Sequence, residues 1–284
     1  MGRVIITSDS TADINHLYKE RNIPMLPLIV NLGTESYLDG VTIFPDDIYK
    51  YVAEHKELPK TSACSEDAYR NFFKQFTDQG CEVVHFSLSS KLSANFQEAA
   101  KAAAGLDGVY VIDSQSLSTG VGLCVLYGCD LRDEGKGAKE IYELAQARVG
   151  AVQASFVLST VEYLHKGGRC SGLSALMASV LAIKPTILVE KGGMRPGKKY
   201  FASSLEKAVS RYIYDTLEAF STPDRKRVFI THSTVPAEVL AHVKETLEAS
   251  GKFDEIIVTV AGSTITSHCG KGTLGILYFN DGQA

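Results

Sequence analysis

Short apolar runs rich in β-branched residues alternate along this chain with segments in which apolar residues recur every three or four positions. The first pattern is typical of buried strands, and the second of helices with one apolar face. The predicted strands lie at 4–6, 83–86, 109–112, 228–230 and 256–260, and the predicted helices at 66–77, 93–104, 140–149, 205–220 and 236–249. Their alternation indicates an α/β fold with mainly parallel sheets.

Two segments, 27–40 and 186–201, break this alternation, and each reads as a hairpin with a Gly-containing turn. Neither a repeat nor a linker marks a domain boundary. At 284 residues the chain is long for one domain and comfortable for two. We predict an N-terminal α/β domain at 1–155 and a C-terminal α/β domain at 156–284, with a ligand held in the cleft between them. Exchange of elements between the two domains stays open.

Composition narrows the range of functions. With 29 Lys and Arg against 33 Asp and Glu, the net charge is -4, which argues against a nucleic-acid partner. The six cysteines are scattered and show no metal-ligand spacing, so we expect reduced thiols, a cytoplasmic location and no metal. No apolar stretch reaches the roughly 18 residues that a membrane-spanning helix needs.

Two glycine-rich segments resemble nucleotide-binding loops without meeting their structural requirements. Residues 270–275 fit Gly-x-Gly-x-x-Gly, but a further strand pattern follows where the dinucleotide site needs a helix. Residues 192–199 lack the final Ser or Thr of a phosphate-binding loop and lie in a predicted hairpin. We therefore predict no cofactor.

Hydroxyl-rich segments after predicted strands point most clearly to a binding site, and they lie at 7–13, 60–65, 87–93 and 113–120. Loops at the carboxyl ends of parallel strands gather at one edge of the sheet, so these segments are expected to converge. Ser93 stands at the start of a predicted helix, where free backbone N–H groups favour a small anion such as a carboxylate. Because Ser is also a preferred N-cap, a purely capping role for Ser93 stays open.

Six motifs resemble the DegV family in order and spacing, across essentially the whole chain. They are Ser8-Asp9-Ser10-Thr11-Ala12-Asp13, Thr61-Ser62 with Ser65, Ser87-Leu88-Ser89-Ser90-Lys91-Leu92-Ser93, Lys166-Gly167-Gly168-Arg169, Ile183-Lys184-Pro185 and Ile265-Thr266-Ser267-His268. The resemblance implies two α/β domains with one long-chain fatty acid buried in a tunnel between them. It also implies that some members present the fatty-acid carboxylate to the catalytic subunit of a fatty acid kinase for acyl-phosphate formation, a step linked to phospholipid synthesis. Transient membrane contact for ligand exchange goes with this function.

Carried over by position, the resemblance gives a carboxylate site and a residue at its mouth. The carboxylate site comprises Thr61, Ser62, Ser93, Ala94, Asn95 and His268. Arg169 is placed at the site mouth or the partner surface, although after two glycines it could instead fix a tight turn by bonding carbonyls.

The chain departs from the family pattern at three places. Cys64 replaces a usual Pro, Ala94-Asn95 replaces a common Gly-Thr, and Lys271 replaces a usual Pro. We expect Cys64 and Lys271 to change loop stiffness, and Asn95 to change hydrogen bonding at the carboxylate.

The alternative function uses the same hydroxyls for catalysis. Ser93 or Ser62 with His268 would serve a lipid hydrolase or acyltransferase as nucleophile and base. However, the chain has no Gly-x-Ser-x-Gly elbow and no evident Ser, acid and His order. The favoured interpretation is a fatty-acid-binding subunit without catalytic chemistry of its own.

Overall fold

The computed structural model describes residues 2–170, 172–173 and 183–282. In these ranges the strands are β1 (Val4–Asp9), β2 (Met25–Leu26), β3 (Ile29–Leu32), β4 (Glu35–Leu38), β5 (Lys60–Ser62), β6 (Glu82–Ser87), β7 (Val109–Asp113), β8 (Val152–Val157), β9 (Ile183–Glu190), β10 (Gly193–Phe201), β11 (Val228–Ser233), β12 (Ile256–Val260) and β13 (Thr273–Phe279).

The α-helices of the same ranges are α1 (Leu17–Glu20), α2 (Pro45–His55), α3 (Glu66–Thr77), α4 (Asn95–Ala103), α5 (Thr119–Asp133), α6 (Ala138–Arg148), α7 (Glu162–Gly167), α8 (Leu205–Ala219), α9 (Ala237–Ser250) and α10 (Ser263–Cys269). All the predicted strands and helices fall on observed elements. Among the described helices, none is both long and apolar enough to cross a membrane.

The first sheet has four strands in the order β2-β1-β6-β7, and every pair in it is parallel. Its strands are apolar on both faces because helices cover both sides. On one face Val83 packs with Tyr69 and Phe73 of α3. On the other face Ile6 and Phe86 pack in the cluster that includes α5. This sheet confirms the parallel arrangement that the strand and helix alternation predicts.

The second sheet has six strands in the order β10-β9-β8-β13-β11-β12 and is mixed. Only β11 and β12 run parallel, so the predicted α/β class is confirmed while the mainly parallel direction does not hold here. The reason is connectivity: β9 and β10 form the predicted hairpin, and β13 lies antiparallel between β8 and β11. Lys191 and Gly192 in the hairpin turn both have positive φ, as a two-residue turn of the favoured twist requires.

A third, three-stranded sheet has the order β4-β3-β5 and is antiparallel. Its β3–β4 pair is the other predicted hairpin. With α2 it encloses a small core of Val30, Ile43 and Ile48. Pairing of Val30 with Thr61 fixes the register of β5 and so the position of two predicted site residues, Thr61 and Ser62.

Helix α5 joins the two larger sheets, and it is buried on nearly every side. One apolar cluster includes Phe86 of the first sheet and Phe156 of the second, together with much of α5. Glycines allow this close packing, because a Cβ at Gly128 would lie 2.7 Å from the Phe86 ring, and one at Gly122 would lie 2.5 Å from the Ile14 side chain.

The predicted boundary between residues 155 and 156 falls inside β8, all of which belongs to the second sheet. A boundary placed before β8 would keep this strand whole. The division into two domains stays a prediction.

Candidate ligand-binding site

A cavity of about 230 Å³ lies where β5, the β6–α4 loop, the β7–α5 loop and α10 meet, and we call it the middle cavity. Its lining residues are Leu28, Thr61, Ser62, Ala63, Leu88, Leu92, Ser93, Ala94, Leu117, Arg169, Thr264, Ile265 and His268. The structure thus brings together all the predicted site residues except Asn95. Three of the four hydroxyl-rich segments contribute to the lining, as their position after the strands suggests.

The fourth hydroxyl-rich segment, 7–13, instead helps to hold α10 in place, through Asp13 and through Asp39, which accepts a hydrogen bond from the Ser10 hydroxyl of this segment. Asp13 Oδ1 accepts a hydrogen bond from the Gly262 N–H at 2.8 Å, and Asp39 Oδ1 accepts one from the Ser263 N–H at 2.7 Å. Both carboxylates are buried, and burial raises the pKa of Asp13 well above its ordinary value. Carboxylates at a helix N-terminus satisfy free N–H groups and complement the helix dipole. They therefore fix the helix that carries His268.

His268 lies at the C-terminal end of α10 and contacts Thr61 of β5. Its Nε2 is 2.8 Å from Thr61 Oγ1, whereas its Nδ1 has no hydrogen-bond partner among the described residues. Burial and the nearby Arg169 guanidinium lower the pKa of His268 to about 4, so the imidazole is neutral at pH 7. A buried N–H without a partner is rarer than a buried acceptor without one, which favours the tautomer with hydrogen on Nε2. Thr61 then accepts from His268 and keeps its own proton free to donate.

Ser93 lies just before α4, one residue ahead of its N-cap, Ala94. Its Oγ accepts hydrogen bonds from the Asn95 backbone N–H at 3.3 Å and from Asn95 Nδ2 at 2.9 Å. Asn95 itself is fully buried and does not line the cavity, and its Oδ1 accepts from the Cys64 N–H at 2.9 Å. The side-chain amide of Asn95 is therefore bonded to protein partners, and it touches the lining of the cavity only through Ser93.

Two polar residues at or beside the cavity are not among the predicted site residues. Asn31 of β3 donates from Nδ2 to Ser62 Oγ at 3.0 Å, a contact that depends on the β3–β5 register. Thr264 of α10 is buried in the cavity wall, and its Oγ1 has no partner among the described residues. Thr264 precedes His268 by four residues and thus shares its helix face, so helical spacing counted back from His268 is the signal that could have found it.

An apolar cavity adjoins the middle cavity. It measures about 40 Å³, shares Leu117 and Ile265 with the middle cavity, and extends to Phe156 and Leu277 of the second sheet. The apolar cavity therefore lies between the middle cavity and the second sheet.

An outer cavity of about 380 Å³ adjoins the middle cavity through Thr61, Arg169 and His268. Lys60, Lys166 and Arg169 make it basic, although Lys166 also pairs with Glu162 at 2.7 Å. Arg169 is exposed and donates from Nη1 to the Gly167 carbonyl at 2.6 Å. The turn-fixing contact and the position at the mouth are thus both present.

The geometry does not favour serine catalysis. The hydrogen bond of His268 goes to Thr61 rather than to Ser93 or Ser62, and within the described ranges no carboxylate binds its Nδ1. A general base in a triad needs a hydrogen bond to its nucleophile and an orienting group behind it. Neither contact is present.

Fold and cavity together define an α/β protein with a hydroxyl-lined chamber beside a smaller apolar one. A family model described as an uncharacterised protein of the DegV family matches residues 3–281. This chain therefore belongs to the DegV family, as its motifs indicate.

Individual relatives match along their whole length. A DegV domain-containing protein of Clostridium acetobutylicum is 28% identical over 282 residues, which cover 98% of this chain and 99% of the relative. The structure of a fatty-acid-binding DegV family protein from Thermus thermophilus superposes with a TM-score of 0.89 at 28% identity, covering 98% and 99% of the two chains. DegV of Bacillus subtilis, described as a fatty acid binding protein, gives a TM-score of 0.84 at 25% identity, covering 98% and 100%.

Proposed function

We propose that this chain binds one long-chain fatty acid, with the carboxylate in the middle cavity and the acyl chain directed into the apolar cavity. The observation that carries this proposal is that Leu117 and Ile265 line both cavities, so that a hydroxyl-lined chamber and an apolar one lie side by side. Thr61, Ser62, Ser93, Thr264 and His268 would surround the carboxylate. The fatty-acid-binding relatives from Thermus thermophilus and Bacillus subtilis support the same ligand class.

The two cavities contribute differently to the binding of a fatty acid. Burial of an acyl chain yields about 0.8 kcal/mol per CH₂, so roughly sixteen carbons gain on the order of 10 kcal/mol before the costs of association. The apolar cavity of about 40 Å³ takes only the first part of such a chain as it stands, so full burial requires the cavity to widen. The acyl chain of the ligand thus supplies most of the binding free energy. Hydroxyls orient the head group without the large desolvation cost of a buried ion pair, and the neutral imidazole acts indirectly by leaving the Thr61 proton free to donate.

The outer cavity supports the second part of the proposal, presentation of the carboxylate to a fatty acid kinase catalytic subunit in the cytoplasm. Lys60 and Arg169 place positive charge directly outside Thr61 and His268. A phosphate group brought there by a partner would meet compatible charge. In this role the chain holds and presents its ligand, contacts membranes transiently for exchange, and uses no cofactor of its own.

Fatty-acid binding is tested on protein freed of lipid by unfolding in denaturant and then refolded. We expect native mass spectrometry to show one added fatty acid per chain. Thr61→Ala combined with Ser93→Ala should weaken binding about tenfold or more, since two hydrogen bonds to a charged group are lost. Thr246→Ala combined with Ser250→Ala, in α9 away from the cavities, is the matched control.

Two results would contradict the proposal. One is a refolded wild type that binds no fatty acid at micromolar concentration. The other is serine labelling by a fluorophosphonate probe that disappears in His268→Ala, which would favour the hydrolase or acyltransferase instead. Presentation to a kinase is tested separately, by acyl-phosphate formation with a purified catalytic subunit and ATP, and by its loss in Arg169→Ala.

A further inference from the structure

Ser93 is the cavity hydroxyl whose hydrogen bonds are most fully defined. A serine hydroxyl has one proton to donate and two lone pairs that accept. Both acceptor positions of Ser93 are filled by Asn95, one by its backbone N–H and one by its Nδ2. Within the described part of the chain, the Ser93 hydroxyl donates to no protein acceptor.

The orientation of the Asn95 side chain is fixed by a different contact. Its Oδ1 accepts the buried Cys64 N–H at 2.9 Å, and a backbone N–H can only donate. The amide oxygen must therefore face Cys64, and the NH₂ group must face Ser93. Because Asn95 is fully buried, water does not compete for either contact. The direction of the hydrogen bond to Ser93 follows from the backbone of a neighbouring loop.

We propose that Asn95 is a positioning residue that sets the head-group preference of the middle cavity. By filling both acceptor positions of Ser93, it leaves only the hydroxyl proton for the ligand. A donor of this kind suits an ionised carboxylate, which only accepts, and disfavours an alcohol, which must also donate its own proton. The inference rests on the proposed function, because it concerns the same cavity and the same ligand class.

The neighbouring hydroxyls show the same arrangement to a lesser degree. Asn31 Nδ2 donates to Ser62 Oγ, and His268 Nε2 contacts Thr61 Oγ1. Ser62 is exposed, so water competes for its hydroxyl and its amide partner restricts it less than Asn95 restricts Ser93. Among these hydroxyls, Ser93 is therefore the one whose acceptor positions are most completely occupied.

The test compares a long-chain fatty acid with the primary alcohol of the same chain length at pH 7.5, by competition against a fluorescent fatty acid. The quantity measured is the ratio of alcohol to acid dissociation constants. Asn95→Ala should lower this ratio about tenfold. Asn95→Thr should recover part of it, because a hydroxyl can donate to Ser93 and accept from Cys64. Asn15→Ala is the matched control, since that amide also bridges two segments, at Val260 and away from the cavity.

A double-mutant cycle separates positioning from structural support. Ser93→Ala should lower the ratio as much as Asn95→Ala does, and the double variant should lower it no further. A lower melting temperature in Asn95→Ala is expected from the unpaired Cys64 N–H and does not affect the ratio. Equal loss of acid and alcohol binding in Asn95→Ala, or additive effects in the double variant, would overturn the inference alone. A wild type that binds neither ligand would overturn the proposed function as well.

Discussion

The N-terminus of α10 and its cavity-facing side lie a few residues apart but differ in how completely their polar groups are hydrogen-bonded. At the N-terminus, the Gly262 and Ser263 N–H groups donate to the buried carboxylates of Asp13 and Asp39. On the cavity-facing side, Thr264 Oγ1 has no partner among the described residues.

This difference distinguishes the part of α10 that anchors the helix from the part that can bind a ligand. Buried polar groups in folded proteins are nearly always paired, so unpaired ones beside a cavity indicate a place for a ligand. The N-terminus of α10 resists displacement, because moving it would leave two buried carboxylates without these hydrogen-bond donors. The helix is thus anchored at one end and leaves its hydrogen-bonding capacity open on the cavity-facing side.

The largest effect is expected at the anchored end. Asp39→Ala removes the acceptor of the Ser263 N–H and of the Ser10 hydroxyl, and should lower the free energy of unfolding by about 3 kcal/mol. Urea unfolding measures this loss. Asp46→Ala, at an exposed carboxyl in the first turn of α2, is the control and should stay within about 0.5 kcal/mol of wild type. Equal losses in the two variants would contradict the anchoring role.

The next effect concerns acid stability through His268. Its folded-state pKa of about 4 lies below the ordinary 6.5, so between these values the unfolded chain binds a proton that the folded chain does not. Stability should therefore fall as the pH falls from 6.5 to 4. His268→Gln should lose roughly 1–2 kcal/mol less than wild type between pH 6.5 and pH 5. Urea unfolding across this range gives the difference, and an equal loss in His268→Gln and wild type would contradict the lowered pKa of His268.

A smaller effect is expected from the unpaired hydroxyl. Thr264→Val removes a buried group without a described partner, so the free energy of unfolding should stay equal or rise by up to about 1 kcal/mol. Fatty-acid affinity should fall a few-fold in the same variant. Thr266→Val is the comparison, because Thr266 Oγ1 donates to the Ala261 carbonyl and its loss should destabilise by about 1 kcal/mol. Destabilisation of both variants alike would remove the distinction between the two sides of α10.

The smallest effect on stability is expected at Arg169. This side chain is exposed and bonds one carbonyl, so Arg169→Ala should change the free energy of unfolding by less than about 0.5 kcal/mol. Arg211→Ala is matched, since Arg211 is exposed and also donates to a carbonyl, that of Phe201. Only Arg169→Ala should weaken fatty-acid binding, a few-fold at low salt and less at high salt. Identical affinities in the two variants would contradict a place for Arg169 at the mouth.

Elements with a clear period could be predicted from the sequence, and elements without one could not. The apolar stripe at 205–220 predicts α8, which spans Leu205–Ala219. Helix α5 escapes prediction because it is buried on nearly every side and so shows no polar face. The strand directions of the second sheet escape as well, because β13 comes last among the described strands yet lies between β8 and β11.

The same limit applies at the cavity. Thr61, Ser62, Ser93 and His268 could be singled out because hydroxyls and an imidazole follow strands in family-like motifs, and the structure gathers them in one chamber. Their contact with a carboxylate stays a prediction. The indirect place of Asn95 could not be foreseen, since it depends on a bond to Cys64, thirty-one positions earlier.

The glycines of α5 have a consequence for how the chain folds. Gly120, Gly122 and Gly128 each lower helix propensity by roughly 1 kcal/mol relative to alanine. A segment with three such residues is a poor helix on its own, and short helices are marginal in water even with good residues. Helix α5 therefore gains its stability from packing between the two larger sheets, so its formation and their docking are expected to be one cooperative event.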